Sequence, residues 1–136
     1  MITIKFQAAS HYPVNRKLII KQIKDVLNSR LKGDVEVSIL IGGNRQMKYL
    51  NKTYRNIDNT TDVLSFPQND PSQPSKPFTP PPDGVLYLGD IVISYPEAVK
   101  EAANDDMMVD DKINQLVLHG LDHLMGIHHD WFIRHE

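Results

Sequence analysis

The hydrophobic period of this chain switches repeatedly between two and about 3.6 residues, and that succession permits few folds. Ile2, Ile4 and Phe6 alternate with polar residues, as do Val35, Val37, Ile39 and Ile41, which predicts two strands with one buried face each. Between them, Pro13 and Asn15 introduce a helix. Its apolar stripe is Ile19, Ile23, Val26 and Leu27, with Lys17, Lys21 and Lys24 mostly off it. Gly33-Asp34 turns the chain, and Gly42-Gly43 ends the second strand. Asn44 is positioned to cap a second helix, in which Met47, Leu50 and Tyr54 recur at three and four residues. Asp62 to Phe66 reads as a short strand and Val85 to Ser94 as another. Pro96 suits the first turn of a helix through Ala103. A last helix is predicted from Val109, with Asp110 and Asp111 at its positive end and a stripe of Ile113, Leu116, Val117, Gly120, Leu121 and Leu124. The order β-α-β-α-β-β-α-α predicts an α+β fold, an α/β sandwich. Its sheet is small, mixed and mostly parallel, of about four strands, with helices packed on it.

At 136 residues the chain suits one domain, 1–136. Pro67 to Gly84 holds every proline except Pro13 and Pro96, and reads as an extended loop inserted between two strands rather than a domain boundary. No apolar run approaches the ~20 residues that span a membrane. The opening residues MITIKFQAAS read as a strand, not a signal peptide, so a cytoplasmic protein with no membrane partner is expected. Cysteine is absent, which rules out disulfides and thiolate ligands; any zinc must use His, Asp or Glu. The net charge of −2 conceals a division: residues 1–55 hold eleven Lys and Arg against three acids, and residues 56–136 hold four against fourteen. A basic half is compatible with an anionic partner such as nucleic acid, and equally with lysines that merely solvate a helix.

The chemistry concentrates in Leu116–Asp130, LVLHGLDHLMGIHHD. His119 and His123 are four apart, so on a helix their Cβ atoms lie roughly 5–6 Å apart on one face. That spacing suits two imidazoles on one metal ion. They flank the apolar stripe and are expected to be partly buried. Gly126 offers a helix stop in the left-handed conformation. Beyond it the chain can double back, so that His128 or His129 supplies a third nitrogen. Three protein nitrogens and an open position form a catalytic zinc site, whereas structural sites are closed by four ligands. Gly120 stands where the zinc peptidases carry their glutamate base, and Asp122 is shorter and angled differently, so proteolysis is not expected. A small residue at 120 would let the helix approach a neighbour or the metal closely.

These residues resemble a known family. His119-Gly120-Leu121-Asp122-His123-Leu124-Met125-Gly126-Ile127-His128-His129 is similar to the H-G-x-L-H-L-x-G-Y-D-H pattern of the YbeY family, with Asp122, Ile127 and His128 departing from it. Tyr54-Arg55 followed by Thr61-Asp62-Val63-Leu64-Ser65-Phe66-Pro67 looks like the family's YR…TDVLSFP segment, with Thr60 where proline is usual. Leu88-Gly89-Asp90-Ile91-Val92-Ile93 looks like its LGDI(V/A)I strand. The resemblance implies a metal-dependent endoribonuclease that prefers single strands and acts in ribosomal RNA maturation, at the 16S 3′ end, and in ribosome quality control. It implies RNA and ribosomal or small-subunit proteins as partners. It implies one zinc ion on His119, His123 and His129, in the C-terminal helix and the turn after it.

The developing charge on phosphate calls for a cation, and Arg55, with a planar fork that matches phosphate oxygens, is the expected catalytic residue. Its alternative is a surface ion pair with Asp58. The basic face of residues 16–32 is expected to contact RNA backbone. Asp62 precedes a strand, where Asp commonly bonds turn amides. Asp90 sits in an apolar strand and would need a partner if buried; orienting a zinc-bound imidazole is one such role, a backbone-bonded structural aspartate another. Ser65 reads as structural. Two other classes remain open: an RNA-binding module whose metal is structural, and a different zinc hydrolase, such as a small-molecule amidase, which would need a narrow enclosed pocket.

Overall fold

The computed structural model describes residues 1–68 and 84–127. The elements are β1 (Ile2–Ala8), α1 (Arg16–Arg30), β2 (Asp34–Gly42), α2 (Asn44–Arg55), β3 (Val63–Pro67), β4 (Val85–Ser94), α3 (Tyr95–Asn104) and α4 (Val109–Ile127). The sheet order is β1-β2-β4-β3; β1, β2 and β4 run parallel, and β3 pairs antiparallel with β4. The expected α+β sandwich with a mixed, mostly parallel sheet is therefore the fold. Most of the Pro-rich segment, residues 69–83, lies outside the described residues.

The two faces of the sheet are covered unequally. Alternation along β2 sends Val35, Val37, Ile39 and Ile41 to one side, where they form the main core with Ile19, Ile23 and Leu27 of α1, Ala98 of α3, and Ile113, Val117, Leu121 and Leu124 of α4. Burying such side chains stabilises by roughly 1.5–3 kcal/mol each, which makes this layer the source of most of the stability. On the other side, among the described residues, α2 covers a small cluster of Met47, Leu64 and Val92. No helix among those described is long and apolar enough to cross a membrane.

Two glycines set how closely the layers meet. A Cβ on Gly120 would stand 3.0 Å from Cγ2 of Ile91, a fully buried side chain, so the missing side chain lets α4 lie directly on β4. The neighbour that Gly120 approaches is thus β4. Gly89 has φ +136°, and its Cβ would stand 2.1 Å from the Phe66 carbonyl oxygen. Beside it, the β2–β4 register slips, with Glu36 opposite Tyr87 but Val37 opposite Gly89. That bulge reverses the alternation of β4: Leu86 and Leu88 face the main core, and so do Ile91 and Ile93.

Helix ends differ from expectation in two places. Gly43, not Asn44, is the N-cap of α2, and it makes no side-chain cap bond. The Asn44 amide instead ties three elements together, its oxygen accepting from Thr60 and Ser94 and its nitrogen donating to Glu97. Gly126 does not stop α4. The helix continues through it to Ile127, and Gly126 is not among the glycines with positive φ. Asn15 does cap α1, accepting from the Leu18 amide, and Ser94 caps α3.

Candidate functional site

His119 and His123 lie on one face of α4. Both are exposed, not partly buried as expected: the flank of α4 that carries them stands beyond the main core, at the β3 edge of the sheet. Alternation along β3 turns Leu64 and Phe66 toward α2, and the residue between them, Ser65, meets α4. Its hydroxyl oxygen is 2.6 Å from Nδ1 of His123. One residue before His123, Asp122 pairs with Arg30 at 2.5 Å and so ties α4 to α1. The histidine pair and this ion pair thus lie on different flanks of the helix, since consecutive helical residues are about 100° apart.

The expected third ligand, His129, and its rival His128 lie outside the described residues. Among the described residues no group of three His, Cys, Asp or Glu side chains is poised around a common point. The donor chemistry of the pair nevertheless fits a zinc ion: two exposed imidazoles at i and i+4, with the Asp122 carboxylate of the intervening turn engaged by Arg30. The Ser65 contact engages Nδ1 of His123, which leaves Nε2 for a cation.

A groove of about 940 Å³ opens on the other face of the sheet, beside α2. Its floor is Lys5 and Gln7 of β1, Ser38 of β2, and Asp90 and Val92 of β4; its wall is Gln46, Leu50, Tyr54 and Arg55 of α2. Tyr54 lies tilted over Phe66 with ring centroids 5.2 Å apart, and remains 66% exposed. Arg55 is exposed at the C-terminal end of α2 and has no ion pair among the described residues. The Asp58 pairing considered for it is taken instead by Lys48, at 3.8 Å. Ser65 also lines this groove, so the residue that meets His123 is shared with the surface that carries Arg55.

Two aspartates from the sequence resolve differently. Asp90 does not orient His119 or His123. The bulge at Gly89 turns it to the groove face, where it is exposed and separated from α4 by the sheet. Asp62 bonds backbone, accepting from the Val63 amide at 2.8 Å. It also lies against Glu101 of α3, whose carboxyl is raised above its ordinary range first by burial and then by the Asp62 charge. The contact missed by sequence reasoning is Ser65. The only available signal was a lone hydroxyl between two apolar residues in a strand of five.

The α1 cations stand apart from the groove. Arg16 donates to the carbonyls of Phe6 and Ala8 on the free edge of β1, and Lys21 pairs with Asp25.

The profile of the family described as Endoribonuclease YbeY matches residues 4–132 of this chain. The chain belongs to the YbeY family. The Endoribonuclease YbeY of Roseiflexus castenholzii is 36% identical over 132 residues, covering 95% of this chain and 80% of that protein. That of Moorella thermoacetica is 36% identical over 124 residues, covering 88% and 78%. Among solved structures, the solution structure of TM1509 from Thermotoga maritima aligns with a TM-score of 0.54 at 22% identity, over 91% of this chain and 71% of that one, and supports the fold.

Proposed function

We propose that this YbeY-family chain is a zinc-dependent endoribonuclease that prefers single strands, and that it acts in the cytoplasm on ribosomal RNA, in small-subunit maturation and quality control. Its relatives carry the name Endoribonuclease YbeY. The observation that carries the reading is Ser65. It lines the groove that holds Arg55 and also meets His123, and this link supports assigning Arg55 to phosphate and the histidine pair to metal in one site.

In this reading His119, His123 and His129 would hold one zinc ion, and the chemistry it would supply when bound is Lewis acidity toward a phosphoryl oxygen or a water nucleophile. The chain's own residues bind and orient. Arg55 offers a guanidinium fork to two phosphate oxygens of one nucleotide. Lys5 adds a second positive charge to the groove floor, and Tyr54 presents an exposed ring on which an unpaired base stacks. A duplex buries its base faces and cannot use that ring, which is the physical basis for single-strand preference. The groove is open along the sheet face, and so suits a polymer better than the enclosed substrate of an amidase.

The test is cleavage of a labelled single-stranded RNA by purified protein, before and after chelation. Activity is expected to vanish with chelation, return with zinc, and be absent in His119→Ala. Cleavage that persists in chelated protein or in His119→Ala would refute the metal-dependent reading.

A further inference from the structure

We propose that Ser65 is a positioning residue for His123: its hydroxyl oxygen accepts from Nδ1–H, which fixes the imidazole in the tautomer whose Nε2 carries the free lone pair. The inference rests on the metal-site reading above and adds to it a residue that is not a ligand.

The argument starts from freedom. His123 is exposed on α4, and among the described residues no other side chain bonds its ring. An unrestrained imidazole rotates about two bonds and exchanges tautomers, and in one tautomer Nε2 bears a proton and cannot bind a cation. A hydrogen-bond partner on the far nitrogen removes both problems, and such partners typically contribute 10–100-fold to metal affinity. Ser65 is placed to do this by backbone alone. β3 pairs with β4 from Val63↔Ile93 to Pro67↔Gly89, and the close approach allowed at Gly89 fixes the height of the strand. Alternation then directs position 65, and not 64 or 66, to the α4 side. Gly120, one turn before His123 in α4, seats the helix on β4 from the other direction. The 2.6 Å contact is the product of these two glycine-controlled approaches.

Ser65→Thr and Ser65→Val separate the hydroxyl from the packing, because the two side chains have nearly the same shape and share any steric effect. Zinc affinity of the whole chain is measured by competition with a chromophoric chelator. Ser65→Thr is expected to stay within a few-fold of the unaltered chain, and Ser65→Val to lose about 10–100-fold. In parallel, ¹⁵N chemical shifts of the zinc-free protein are expected to show His123 protonated on Nδ1, and to lose that preference in Ser65→Val. Equal affinities for the two variants, with tight zinc uptake by the unaltered chain, overturn the positioning role and leave the metal site standing. If the unaltered chain takes up no zinc, the metal reading fails, and the positioning role fails with it.

Discussion

Arg55 can be judged with few confounding effects, because it is exposed and has no ion pair among the described residues. Surface substitutions of that kind change stability by no more than about 0.5 kcal/mol. Arg55→Ala should therefore melt with the unaltered protein in a thermal scan, while kcat/KM on single-stranded RNA falls by about 100-fold or more, the scale of removing one preorganised charge donor. Arg55→Lys should recover little, since a point charge cannot grip two oxygens in one plane. Normal cleavage by Arg55→Ala would remove the residue from the mechanism. That His119 and His123 share one face of a helix was readable from their spacing, whereas Arg55 was singled out with the help of the YR…TDVLSFP resemblance. The part of Ser65 was not readable, because it depends on which helix lies beneath one strand position, a fact of packing. The partial burial expected of the histidines failed for the same reason: a helical stripe gives the direction a residue faces, not how far the neighbouring layer extends.

At the level of elements, β4 explains why Asp90 lay beyond simple alternation. Its apolar positions run Leu86, Leu88, then Ile91, Ile93, and that change of parity across Gly89 is visible in the sequence once a bulge is considered. Gly89→Ala should be among the most damaging single changes, costing about 3 kcal/mol or more, because it combines a left-handed φ with a Cβ driven into the Phe66 carbonyl. A lowered denaturation midpoint would show it; a midpoint within error of the parent would mean β3 moves aside freely. A second element-scale prediction concerns the junction of β3, α3 and α4. Burial and then the Asp62 charge raise the Glu101 carboxyl, against a smaller pull downward from Lys112, and its Oε2 is buried without a hydrogen-bond partner among the described residues. A carboxyl raised in the folded state contributes stability while it keeps its proton, and loses that contribution as pH rises through the raised value. Glu101→Gln should therefore raise stability at neutral pH and flatten its decline from the ordinary carboxylate range upward, followed by denaturant titrations across that window. An unchanged pH profile would mean that the Glu101 proton does not influence folding.

For the whole molecule, the division between a basic first half and an acidic second half was legible, but its meaning depends on the sheet. The helix α1 packs on the same face as α3 and α4, and the groove opens on the opposite face, so the chain offers two separate basic surfaces. On α1, Arg16, Lys21 and Arg30 are engaged with carbonyls or carboxylates, which leaves Lys17 and Lys24, and Lys32 just past the helix, without ion pairs among the described residues. In the groove, Arg55 has no ion pair among the described residues and Lys5 meets Glu36 only at 3.8 Å. Each phosphate neutralised releases counterions, and for a single strand the logarithm of affinity falls with the logarithm of salt by about 0.7 per contact. If RNA follows the groove, Lys5→Ala and Arg55→Ala should each flatten that slope by about one contact, and the double variant by about two. Lys17→Ala with Lys24→Ala should leave it nearly unchanged. The reverse pattern would assign the backbone contacts to α1, as the charge division alone had suggested, and would leave the groove to orient only the nucleotide at the cut. Binding measured by anisotropy on chelated protein isolates this electrostatic term, because neither the metal nor turnover then contributes to the slope.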